Sequence, residues 1–212
     1  MDQIQTFPLD HHGIIAAVCK DLRIAERIDG FLGVHEKRIV SPGQAVVAMI
    51  INGLGFTNRR LYLTHQFFAS KPVGQLLDAD IKATDLSDYT LGHALDQIAK
   101  FGVTDLFAKV AFGIAVDHDL LGRLNHLDTT TFSVTGQYES DNPEEIKDNG
   151  EPNELKITHG HSKDHRPDLK QVVLSLVVNG PGSMPLWMEA LDGNSSDKTS
   201  FHETIKKMII CG

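Results

Sequence analysis

The sequence predicts an α+β protein: a helical amino-terminal domain over residues 1–121, then a β-β-β-α unit over residues 122–212. Two observations carry this reading. Apolar residues recur every three or four positions between residues 10 and 121, the spacing of one helix face. Near Leu124 the period drops to two and β-branched residues take over, which marks strands.

The helical elements follow in order. Residues 12–28 carry Ile15, Val18, Cys19, Leu22 and Ile28 near a 3.6-residue period, with Gly30 as the stop. Ser41-Pro42 is a start signal, a capping hydroxyl followed by proline at the first helical position. The run 45–51 behind it is apolar on nearly every side, which predicts a helix buried on most faces. Residues 59–68 and 72–77 read as short helices. Leu91, Leu95, Ile98 and Ala99 mark an amphipathic helix ending near Gly102, and Thr104-Asp105 opens the last one, through about Leu120.

Residues 124–134 alternate and are β-branched, a strand. Residues 171–178 are continuously apolar from Val172 onward, the pattern of a central strand covered on both faces. Asn179-Gly180-Pro181-Gly182 is a turn cluster, 185–191 a third strand, and 199–210 a closing helix. Between the first two strands, residues 139–154 are acidic and rich in polar residues, a linker composition.

With 212 residues and 41% hydrophobic content the chain is long enough for one large domain or two small ones. Cys19 and Cys211 make no metal-type spacing and fit a reducing compartment. Met1-Asp2 opens no charged-then-apolar leader, and the longest apolar stretch is too short to cross a bilayer, so a soluble cytoplasmic protein with no membrane partner is expected. The formal net charge of −8 argues against nucleic acid, but residues 156–170 concentrate Lys, Arg and His and form a local basic patch.

Asp128 is the first candidate for chemistry. A carboxylate inside a β-branched segment is disfavoured by propensity and by burial, and calls for a metal, a cation or a hydrogen-bond partner. One reading is a buried Asp satisfied by Thr129, Thr130 or a backbone amide. The other is a ligand for Mg²⁺ or Mn²⁺, which prefer carboxylate oxygens. On a strand, His126, Asp128, Thr130 and Phe132 share one face. The cluster His159, His161, Asp164 and His165 is similar to the H-x-H-x-D-H signature of metallo-β-lactamase-like hydrolases, but its spacing is one residue too long, and Lys163 and Arg166 put cations in the would-be shell. A solvated basic loop is the plainer reading. Lys163, Arg166 and Lys170 are the cations placed to meet DNA phosphates, a reading from their charge alone. Arg23, Arg27, Lys37, Arg38 and Arg59-Arg60 read as solvated faces, with DNA contact there open. No phosphate-binding glycine loop, nucleophile elbow or Cys-His pairing is present.

Three segments taken together carry a family resemblance: His126-Leu-Asp128-Thr-Thr-Thr-Phe132, then Gly160-His-Ser-Lys-Asp-His-Arg-Pro-Asp-Leu-Lys-Gln171, then Leu191-Asp-Gly-Asn-Ser-Ser-Asp-Lys-Thr-Ser200. The chain resembles bacterial DDE insertion-sequence transposases, whose catalytic core is RNase H-like. Gly43-Gln-Ala-Val46, Leu54-Gly-Phe-Thr57 and Leu91-Gly-His-Ala-Leu-Asp96 extend the similarity into the helical part. The resemblance implies phosphoryl transfer on double-stranded DNA at transposon ends, with two divalent ions (Mg²⁺ or Mn²⁺) held by two Asp and one Glu. By position Asp128 matches the first of these, on the first strand of a partial RNase H-like unit. The family places the second Asp after a fourth strand and the Glu later still, so both are expected beyond Gly212. The expectation is a carboxyl-terminally truncated transposase, inactive alone as a nuclease, with an open edge on its first strand that invites pairing with another chain. Homo-oligomers fit that picture. The alternatives are a non-catalytic DNA-binding or regulatory fragment and the His-cluster hydrolase.

Overall fold

The computed structural model describes residues 6–54, 59–136, 138, 155–161, 166–180 and 182–211. The fold is α+β, with eight α-helices and one three-stranded antiparallel sheet among these residues. The chain divides into two compact units, 1–101 and 102–212.

The first unit holds α1 (His12–Asp21), α2 (Ile24–Leu32), α3 (Pro42–Gly53), α4 (Thr64–Phe68), α5 (Val73–Leu76) and α6 (Asp88–Phe101). The helix expected over 12–28 is two helices. Arg23 adopts a left-handed conformation (φ 53°) that breaks it, and Arg27 Nε donates to the Leu22 carbonyl at 2.9 Å to satisfy the end of α1. Gly30 lies inside α2 rather than ending it. Sequence periodicity misses this break because both helices turn apolar residues toward the same core.

α3 starts where Ser41-Pro42 places it. Ser41 Oγ accepts from Gln44 N at 3.1 Å, and Ser41 N donates to Gln44 Oε1 at 2.9 Å, a reciprocal cap. Its apolar run is shielded as expected: Ala45, Val47, Ala48 and Ile51 are buried against Phe68, Leu86 and Leu91. Full burial of Ile51, Phe68 and the two leucines contributes about 1.5–3 kcal/mol each relative to exposure, as an upper bound. Gly43 lets α2 and α3 meet closely, and its N–H donates to Asp29 Oδ1 at 2.7 Å. Asn52 closes the far end: its side chain bonds both the N–H and the C=O of Arg59, at 2.8 and 2.7 Å, and reaches Thr64 Oγ1 at 3.2 Å. The helix expected over 59–68 is a 3₁₀ turn (Leu61–Leu63) leading into α4.

The second unit holds α7 (Val103–Asp117), β1 (Asn125–Val134), β2 (Lys170–Asn179), β3 (Pro185–Leu191) and α8 (Asp197–Cys211). The sequence reading put α7 in a helical domain ending at 121. It belongs instead with the sheet, because Ala108 and Phe112 on its small apolar face pack with Val177 and Trp187. The strand order is β1-β2-β3, both pairings antiparallel, so β2 is central and β1 is an edge. β2 was expected to be covered on both faces. Instead Gln171, Val173, Ser175, Val177 and Asn179 are buried, and Val172, Leu174, Leu176 and Val178 between them are half-buried. Met208 of α8 joins Ala108 and Phe112 of α7 on the Val177 face, so these helices cover the same side.

Candidate functional site

Asp128 sits midway along β1, paired across to Leu176. His126, Asp128, Thr130 and Phe132 are all exposed, which puts them on one solvent-facing side of the strand as the alternation predicts. The carboxylate is therefore not buried, and burial makes no demand for a compensating metal. Its Oδ1 accepts from the Thr129 N–H at 2.8 Å, the backbone-amide partner anticipated for the buried alternative.

The register shows what surrounds it. Leu176 pairs onward with Met188, so Asp128's row across the sheet is apolar. The other carboxylate within the strands, Glu189, pairs with Ser175, which pairs with Thr129. That row points to the opposite, helix-covered side. Glu189 is committed there to the Lys207 ammonium and to Thr204 Oγ1 (3.4 Å) of α8. Neighbouring strands thus supply no second acid beside Asp128, and no group of three His, Cys, Asp or Glu among the described residues could hold a metal ion.

The last residue of the basic block lies well along the strand from Asp128. Lys170 pairs with Val134, six positions along β1 from Asp128, a separation of roughly 20 Å at about 3.4 Å per residue. Asp128 and Lys170 cannot share one phosphate. Lys170 Nζ donates to the Tyr138 carbonyl. Arg166 forms a two-pronged pair with Asp168, Nε to Oδ1 at 2.8 Å and Nη2 to Oδ2 at 2.7 Å. This pairing holds the Asp168 carboxyl below the usual carboxylate range and raises the Arg166 guanidinium. Both groups are solvent-exposed, so the pair adds little stability. Lys163, Asp164 and His165 lie outside the described residues.

His159 and His161 are exposed, as the solvated-loop reading expects, and the residues before them are tied to the sheet unit. Thr158 bridges Gln171 through two backbone hydrogen bonds (2.9 and 3.3 Å), and Lys156 N donates to Asp192 Oδ1 at 2.9 Å. Gly193 N returns to the Lys156 carbonyl at 3.0 Å. The fully buried Gln171 donates Nε2 to the Gly193 carbonyl at 2.7 Å. A Cβ on Gly160 would lie 2.6 Å from Gln171 Nε2 and 2.9 Å from Gly193 C, so only glycine fits. This knot ties the His159–His161 strap to the turn after β3. Asp192 has a structural role in it. Sequence reasoning missed Gln171, although a lone amide heading an apolar strand signals a buried partner.

A family model described as a domain of unknown function (DUF4277) matches residues 4–112, just over half of the chain. The chain belongs to this family. The DUF4277 match spans the helical unit and runs into α7, and ends before β1 and Asp128. No curated protein and no solved structure matches the chain. No helix among the described residues is long and apolar enough to cross a membrane.

Proposed function

We propose that this chain is the amino-terminal helical domain and first strands of a cytoplasmic DDE transposase, acting on double-stranded DNA with Mg²⁺ or Mn²⁺. The observation that carries the reading is Asp128: a carboxylate at the middle of an edge strand, open to solvent, in a sheet of three antiparallel strands followed by a helix. An exposed acid on an open edge can be reached by a scissile phosphodiester and by metal ligands from elements that join beside β1. The resemblance of the Asp128, Lys163–Lys170 and Leu191–Ser200 segments to that family supports the same assignment.

On this reading Asp128 is one of three metal-binding carboxylates. A single carboxylate holds Mg²⁺ weakly, so the chain alone cleaves no DNA and works in an oligomer or with the remaining ligands. Lys170 would meet a phosphate roughly 20 Å from the metal, about six strand residues along, and Arg166 and Lys163 belong to the same basic block. Arg166 must exchange Asp168 for a phosphate, a swap of one charged partner for another in open solvent.

The test is a titration of the protein with Mn²⁺ in the presence of duplex DNA, followed by paramagnetic broadening of backbone amide signals. Broadening centred on residues 126–130, and lost in Asp128→Asn, is expected. Broadening elsewhere, or unchanged in the variant, removes Asp128 from a metal site.

A further inference from the structure

The first unit carries an open groove of about 480 Å³ between the α2–α3 loop, a 3₁₀ turn at Ala83–Asp85 and the start of α6. Lys37 and Arg38 stand on the loop side. Facing them are the hydroxyls of Ser87 and Thr90, which lie 3.0 Å apart, and the rings of Tyr89 and His93, which meet edge-on at 6.4 Å. Tyr89 is 78% exposed.

Charge decides what such a groove can take. In a chain of net charge −8, two adjacent cations would be expected to find acids. Among the described residues, the side chains of Lys37 and Arg38 make no hydrogen bond or ion pair, although Glu36 and Asp85 are near in sequence or lining. The Asp85 carboxylate, which also lines the groove, accepts from the Lys82 N–H at 2.9 Å. Nδ1 of His93 is shut off from solvent, so the ring lines the groove without offering that nitrogen to it. The groove thus offers an ammonium, a guanidinium and a hydroxyl pair, of which Ser87 Oγ also accepts from the Thr90 N–H at 3.2 Å, beside one charged carboxylate. A planar guanidinium beside hydroxyl donors matches the oxygens of a phosphate, and an exposed tyrosine ring beside them matches a base or sugar.

We infer that this groove binds a phosphate group, with Lys37 and Arg38 as its charged contacts and the Ser87–Thr90 hydroxyl pair as its hydrogen-bonding floor. The two sources of such a group are a nucleic-acid backbone and a small phosphate compound. The inference concerns the helical unit and stands whether or not Asp128 binds metal.

The test is fluorescence anisotropy of a labelled 20-base-pair duplex with the whole chain, across a salt series, alongside calorimetric titration with pyrophosphate. Lys37→Ala/Arg38→Ala is expected to weaken duplex binding at least tenfold and to lower the slope of log K against log salt by about 1, for the one phosphate the groove holds. Lys20→Ala/Lys100→Ala removes the same charge from exposed helix positions of the same unit and is expected to change affinity less than twofold. Arg38→Lys keeps charge and loses the planar fork, and should fall between. Pyrophosphate binding without duplex binding, abolished by the double variant, assigns the groove to a small phosphate compound. Failure of both ligands to bind, or equal losses in the two double variants, overturns the inference. Loss of Mn²⁺ broadening in Asp128→Asn with duplex binding intact keeps the two sites separable.

Discussion

Gly43→Ala tests the α2–α3 packing most directly. A Cβ at Gly43 would sit 2.7 Å from Ala25 C and Cα, and nearer still to the Ala25 carbonyl oxygen. Ordinary contact begins at 3.4 Å, so the carbons alone demand a retreat of 0.7 Å (3.4 minus 2.7). The obstruction is helix backbone, which cannot rotate away as a side chain can. α2 must therefore shift as a body, straining the Gly43 N–H to Asp29 bond and the packing of Ile28. Overpacking of this kind costs about 1–3 kcal/mol, against up to about 1 kcal/mol gained from alanine's helix propensity, which is smaller in a first turn. A net loss of about 2 kcal/mol corresponds to a Tm drop of roughly 8–16 °C for a unit of this size. Far-UV ellipticity on heating reads it, with fluorescence of Trp187, the sole tryptophan and buried in the sheet unit, as internal reference. Gly92→Ala is the matched control: nothing lies within 4 Å of its added Cβ inside α6, so it should stabilise by up to about 1 kcal/mol. A Gly43→Ala protein as stable as the wild type refutes the close crossing.

Two further outcomes follow from the same unit. His12 is buried against Phe67, and its pKa is lowered by that burial, then by Lys71 and His11, with Leu9 and Asp10 opposing. Its folded pKa lies below the unfolded 6.5, so the unfolded chain takes up the proton first. Stability is fully present above pH 6.5, falls as pH drops below it, and stops falling beneath the folded pKa. Urea midpoints from pH 7.5 to 5 should show this slope, and His12→Phe should flatten it; an unchanged slope assigns the titration elsewhere. Asn52→Ala strands the Arg59 backbone groups and Thr64, and should cost about 1–3 kcal/mol by urea unfolding. A loss under about 0.5 kcal/mol would mean water replaces the amide.

Residue types and their spacing determined where most helices and all three strands lie. Ser41-Pro42 and Gln44 fixed the start of α3 because a cap is a local arrangement of neighbouring backbone groups. Alternation along residues 125–134 fixed which side of β1 carries Asp128, because side chains in a strand alternate regardless of what they meet. The same reasoning could not tell that Asp128 is exposed, since alternation names two faces without saying which one is covered. Tertiary structure decided that, by setting α7 and Met208 of α8 on the Val177 side. It also set the Arg23 break, the knot of Gly160, Gln171 and Gly193, and the groove joining Lys37 and Arg38 to α6. Each of these brings together groups distant in sequence or depends on one residue's backbone conformation, and neither leaves a periodic trace in the chain.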